Sequence, residues 1–170
     1  MKKGFTLIEL LIVIAVLGIL AAGILATIDP FEQFRKARDT NARNTVVEVY
    51  NAYIRYNANH GTWPWQAAAP GACTAPNQEG LTTTVGGACL SALIGDGELK
   101  TGFTAAIGSG NAITSAVVTF MSGSATQSET VAVCFLPDSK TMKKDSNTKY
   151  TNAGVGTCSN ATESCYWCAL

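Results

Sequence analysis

The sequence predicts an α+β fold: a long N-terminal α-helix packed on a small antiparallel β-sheet, with a disulfide-stapled C-terminal region. Three observations predict it. An apolar run from Phe5 to Ile28 continues into an amphipathic segment in which Ala42, Val46, Val49, Tyr53 and Tyr56 recur at spacings of three and four, the helical period. Beyond residue 110 come two β-prone runs, Ala116–Met121 and Thr130–Leu136, bounded by Gly, Ser and Pro. All six cysteines, at 73, 89, 134, 158, 165 and 168, lie past residue 70.

Taken in order, residues 1–4 are a basic stub, 5–30 a hydrophobic helix, 31–60 an amphipathic helix of the head, 61–110 an irregular connecting region, and 111–170 the sheet and its cystine-rich tail. The first helix is apolar all round, as only a membrane or filament-core helix is. The second buries its stripe, widened by Tyr50 and Ile54, against the sheet. Arg35, Lys36, Arg38, Asp39, Arg43, Glu48 and Arg55 fall on its other faces and read as a solvated or subunit-contacting surface. Gly18, Gly23 and Asp29-Pro30 are weak points. Pro30 removes a hydrogen bond to the carbonyl of Ala26 and crowds that turn, so a kink or break is expected there. Gly61 suits a position just past the helix end and Pro64 prevents continuation. In the connecting region a short helix is expected near Cys89–Ile94. Ser122–Gln127 links the two strand runs as a hairpin, and Lys140–Tyr150 reads as a third, more polar strand.

Lys and Arg total 12 and so do Asp and Glu. A neutral chain offers no long-range field for nucleic acid, so such binding is possible but not indicated. An ordinary secretory signal has roughly 7–15 apolar residues ahead of its cleavage site; the run here is longer and carries Glu9. A plain anchor fits the length, since about 20 apolar residues span a bilayer, but leaves Glu9 unexplained. An acid inside a membrane segment is costly and marks function. Lys2 and Lys3 hold the N-terminus in the cytoplasm and send the head outward, where an even cysteine count reads as a disulfide framework.

The order Lys2-Lys3-Gly4-Phe5-Thr6-Leu7-Ile8-Glu9, followed by the long apolar run, resembles the class III signal of type IV pilins and pseudopilins. The resemblance implies a leader peptide of residues 1–4, cleavage between Gly4 and Phe5 by a membrane prepilin peptidase, N-methylation of Phe5, and polymerisation through the hydrophobic helix. It implies an inner-membrane precursor, handled by inner-membrane assembly machinery, that ends in an extracellular filament of identical subunits. The function expected is structural, with no enzymatic activity and no cofactor or metal. The alternatives are a pseudopilin of a type II secretion or DNA-uptake machine, and a membrane-anchored exported binding domain. His60-Gly61-Thr62-Trp63-Pro64 is similar to the Gly-x-Tyr-Pro that follows the long helix in many pseudopilins, with Trp63 replacing Tyr. Family members commonly carry a proline at the position of Ala26, which this chain lacks. The acidic calcium loop typical of type II secretion major pseudopilins also has no clear counterpart, since Lys140, Lys143 and Lys144 flank Asp138 and Asp145. Those lysines with Lys149 form a small basic patch.

Cys165-Tyr166-Trp167-Cys168 is compatible with a redox pair, half of a zinc site with Cys134 and Cys158, or structural half-cystines. A redox pair belongs at a helix N-terminus, and this one lies too near the C-terminus to precede a helix. In the family a cystine often ties the C-terminal segment to the sheet, which implies Cys134 as partner of one tail cysteine; Cys73 with Cys89 would close the connecting region, and the remaining pairings stay open. His60 is the only histidine, so no Ser-His-Asp or Cys-His set is available, and it reads as a cap or surface residue. Asn160-Ala161-Thr162 is a glycosylation sequon. In a filament core that excludes water, an unpaired Glu9 carboxylate is penalised, and the cation nearest in sequence after cleavage is the amine of Phe5. Phe5 and Glu9 are therefore the expected assembly residues.

Overall fold

The computed structural model describes residues 4–27, 29–66, 73, 79–81, 84–108, 116–121, 130–151, 156, 158 and 164–170. The sequon and the hairpin linker fall outside them. The chain divides into two compact units, Met1–Phe34 and Arg35–Leu170.

The first unit carries helix α1, Leu7–Thr27, and the first turn of α2, Pro30–His60. The kink or break expected at Pro30 takes the form of two separate helices. The reason is a start signal rather than only a lost hydrogen bond. The Asp29 carboxylate accepts from the backbone N–H groups of Phe31 (3.1 Å) and Glu32 (3.3 Å), and its carbonyl accepts from Gln33 N–H at 3.4 Å. Asp29 therefore caps α2, and Pro30 occupies the first helical position, where its missing N–H costs nothing. Gly18 and Gly23, expected as weak points, lie within α1, which runs through both without interruption. Leu7–Ile24 is long and apolar enough to cross a membrane, with mean hydropathy 2.8 and none of it buried.

In the second unit, α2 buries Ala42, Val46, Val49, Ala52, Tyr53 and Tyr56 along one stripe. Tyr50 is half-buried and Ile54 is exposed, so the stripe is narrower than its sequence suggests. The helix ends as expected: Gly61 has φ +67°, the left-handed conformation that favours glycine, and its N–H bonds to Asn57 O at 2.8 Å. The connecting region is more ordered than expected, with β1 (Glu79–Gly80), α3 (Thr84–Gly95) and α4 (Phe103–Gly108).

Among the described residues the sheet has five strands, all antiparallel, in the order β1-β2-β3-β5-β4, with β2 at Ala116–Met121, β3 at Thr130–Phe135, β4 at Thr148–Tyr150 and β5 at Tyr166–Ala169. The stretch read as one polar strand, Lys140–Tyr150, instead divides into a short helix α5 (Lys140–Lys143) and β4. Ser139 makes the difference, since its Oγ accepts from Met142 N–H and caps α5. Strand β3 alternates with period two. Val131, Val133 and Phe135 join the core with the α2 stripe, Leu90, Leu93 and Trp167, while Ala132 and Cys134 pack with Cys168 in a second cluster flanked by Tyr150 and Tyr166.

Tyr53 is fully buried, and its hydroxyl has no hydrogen-bond partner among the described residues. Burial pushes its phenol up from the ordinary value near 10, and Tyr56 is raised too, by burial and by the Asp96 carboxylate. A raised phenol holds its proton in the folded head after the unfolded chain has released it. Stability is therefore full below pH 10 and falls as pH rises above it. Denaturant midpoints at pH 9 and pH 11 should show this loss, and Tyr53→Phe should reduce it. At neutral pH Tyr53→Phe should be neutral or stabilising, because it removes a buried hydroxyl with no hydrogen-bond partner among the described residues.

Candidate functional site

The N-terminal segment begins with a reciprocal cap that the sequence reading missed. Thr6 N–H and Thr6 Oγ1 both donate to Glu9 Oε2 at 2.9 Å, and Glu9 N–H donates to Thr6 Oγ1 at 3.3 Å. Thr6-x-x-Glu9 is a capping box, a signal legible in the four residues themselves. The first helical bond, Leu10 N–H to Thr6 O at 3.4 Å, confirms Thr6 as the cap. Both Thr6 donors, the backbone N–H and the hydroxyl, converge on Oε2, leaving Oε1 unengaged among the described residues. Phe5 precedes the cap and is 83% exposed, and the apolar side chains that follow it from Leu7 to Ile24 are exposed too. Gly4 has open space where a side chain would stand.

On the head, the charges of α2 are not simply solvated. Asp39, read as one of them, is buried. Its carboxylate accepts from Asp138 N–H (3.0 and 3.2 Å), Ser139 N–H (2.8 Å) and Ser139 Oγ (2.6 Å). Arg38 and Arg35 hold the Asp138 carboxylate at 2.8 and 3.5 Å. Asp138 is thus engaged by two guanidinium groups, and α5 is fastened beside α2. Arg43 lies over the Trp167 ring at 4.9 Å. At the far end of α2, Arg55 Nε and Asn59 Nδ2 donate to the Glu98 carboxylate, each at 2.7 Å, and His60 Nε2 meets Asp96 Oδ1 at 2.9 Å. The only histidine therefore fastens the end of the helix to the turn after α3.

The six cysteines form three disulfides: Cys73–Cys89, Cys134–Cys168 and Cys158–Cys165. Cys165 and Cys168, neighbours in the C-x-x-C, go to different partners. Cys168 lies on β5 directly opposite Cys134 of β3, so its cystine staples the last strand to the sheet. Cys158 is drawn to β4 by its N–H bond to Lys149 O at 3.1 Å. Among the described residues no group of three or more His, Cys, Asp or Glu is placed to hold a metal.

An unburied apolar helix that opens on Gly4-Phe5 and a capped acid, followed by an α+β head stapled by cystines, fits the type IV pilin-like architecture expected from the sequence. Comparison with known proteins agrees. The prokaryotic N-terminal methylation motif matches residues 1–25. A fimbrial protein of Neisseria meningitidis serogroup B (strain ATCC BAA-335 / MC58) is 38% identical over 80 residues, 47% of this chain and 46% of the relative. Type IV major pilin protein PilE1 of Neisseria gonorrhoeae is 38% identical over 77 residues, 45% of this chain and 46% of the relative. Fimbrial protein EcpC of Eikenella corrodens is 36% identical over 91 residues, 49% and 54% respectively. The chain spans about half the length of the curated relatives it matches. No solved structure matches it. The chain carries this motif and, over about half its length, is similar to type IV pilins and fimbrial proteins.

Proposed function

We propose that the chain is a structural subunit that polymerises through its N-terminal helix into an extracellular type IV pilus-like filament. The observation that carries this reading is the pairing of the methylation motif over residues 1–25 with an apolar span, Leu7–Ile24, that is unburied among the described residues. Such a surface needs lipid before assembly and neighbouring helices after it. The named relatives are fimbrial proteins and major pilins, which favours a surface pilus over a secretion pseudopilus. Cleavage falls between Gly4 and Phe5, Phe5 becomes the methylated terminus, and the precursor waits in the cytoplasmic membrane for the assembly machinery. The role is structural rather than enzymatic.

Glu9 is the register element of this proposal. Its Oε2 is taken by Thr6, and its Oε1 remains for the amine that cleavage creates on Phe5, in the same subunit or in a neighbour. Apolar helices slide along one another; a buried ion pair has one position. Glu9→Val should leave insertion and cleavage intact and reduce filament yield at least tenfold, measured by shearing and quantifying fibres. Thr6→Val removes the cap but keeps the acid, and should cost much less. Normal filament yield from Glu9→Val cells would refute the role assigned to Glu9.

A further inference from the structure

The first turn of α2 leaves two large aromatic side chains uncovered among the described residues. Phe31 is 74% exposed and Phe34 69%. Three residues apart on a helix, they share one face. Both lie in the compact unit that also carries α1. The backbone beneath them asks for no water. Pro30 has no N–H, the Asp29 carboxylate accepts from Phe31 and Glu32 N–H at 3.1 and 3.3 Å, and Asp29 O accepts from Gln33 N–H at 3.4 Å. A helix start ordinarily leaves such donors to a cap or to solvent. Here every backbone donor from Pro30 to Gln33 is satisfied within the chain, as a water-poor layer requires.

Chain length says what lies beside this face. Helix α1 has 21 residues, about 31 Å at the helical rise, which matches the hydrocarbon thickness of a bilayer. Phe31 follows Thr27, the last residue of α1, by about four residues, no more than roughly 14 Å even fully extended. The layer within that reach is the headgroup region, where aromatic side chains collect at both ends of a span. Phe5, 83% exposed, stands at the other end. From Phe5 to Phe31 is about 26 residues, on the order of 40 Å of helix, close to the full bilayer thickness. We infer that Phe31 and Phe34 form an interfacial anchor, seated between the headgroups and acyl chains of the bilayer, that sets the depth of α1 in the membrane-held subunit. The inference rests on the proposed membrane-inserted precursor. The attraction is apolar, since the acids of this turn, Asp29 and Glu32, gain nothing from anionic headgroups. Lipid is favoured over a second copy of the chain because the short connection to α1 keeps lipid at high effective concentration before any copy docks.

An anchor at this end would hold the Gly4–Phe5 bond at the opposite face of the bilayer, at a constant depth for cleavage. The test uses the full chain reconstituted in phosphatidylcholine vesicles, with the photoreactive analogue p-benzoylphenylalanine placed at position 31, 34, 17 or 54 in turn. Leu17 lies within the span, and Ile54, 41% exposed, lies on α2 about 30 Å of helix beyond Phe34. Irradiation inserts the benzophenone into a neighbouring C–H bond, and mass spectrometry reads what it has joined. Positions 31 and 34 should give lipid adducts at least threefold above position 54. Their adducts should lie on the acyl chain near the ester, those of position 17 near the methyl end, and 0.5 M salt should change neither yield. Yields at 31 and 34 no greater than at 54 would overturn the inference. Adducts at 31 and 34 to a second copy of the chain in place of lipid would overturn it too, and would mark a subunit contact. Lipid adducts at 17 with none at 31 and 34 remove the anchor and leave the proposed function standing; no lipid adduct at 17 removes both.

Discussion

Asp39→Ala should lower the stability of the head by about 3 kcal/mol, more than any other single change on the polar side of α2. The residue is buried, and four hydrogen-bond distances of 2.6–3.2 Å connect its carboxylate to Asp138 and Ser139. Truncation leaves two backbone N–H groups and a buried hydroxyl without an acceptor. Those lost bonds, not the lost charge, dominate the cost. The effect should spread along the chain, because Ser139 caps α5, and Thr148 Oγ1 at the start of β4 donates to Met142 O at 2.7 Å. Amide hydrogen exchange from 138 to 148 should rise ahead of the rest of the head. Asp39→Asn keeps one oxygen acceptor and should lose roughly half as much. Denaturant unfolding checks the magnitudes; a change below about 1 kcal/mol for Asp39→Ala would show that the node contributes little.

Removal of the Cys134–Cys168 cystine should be the most damaging of the three disulfide deletions. The sequence separations are 34 for Cys134–Cys168, 16 for Cys73–Cys89 and 7 for Cys158–Cys165. As loop constraints on the unfolded chain these correspond to about 4, 3 and 2 kcal/mol. Cys134–Cys168 also closes the ring that contains the smallest one, and it staples β5 between β3 and β4, so its loss frees both of the last strands. Paired alanine variants compared by thermal unfolding should fall in that order. If Cys158–Cys165 proved the most costly, chain entropy would not be the controlling term.

The residues that made the fold legible in the sequence are those whose signal is local. Gly4-Phe5 and Glu9 stand out because a charge in an apolar run has no bland explanation. The α2 stripe follows from its period, and strands β2 and β3 from β-prone runs bounded by Gly, Ser and Pro. What escaped was set by partners distant in sequence. Asp39 sits among exposed charges on a helical wheel, and Asp138 and Ser139, about a hundred residues later, make it a buried acceptor. Arg55 and His60 likewise find Glu98 and Asp96 across the fold. Strand β5 is four residues long and was masked by the C-x-x-C, whose cysteines are separated by the register Cys134↔Cys168. Two misreadings were local and avoidable: the Thr6–Glu9 capping box, and the Asp29-Pro30 helix start, read only as a break.

The most direct test of the central claim is the intact mass, without reduction, of subunits sheared from the cell surface as fibres. The account predicts fibres composed of this chain, beginning at Phe5, heavier by one methyl group on the terminal amine and lighter by the six hydrogens of three disulfides. Fibres whose subunits retain Met1, or the absence of this chain from any surface fibre while it remains in the membrane, would contradict it.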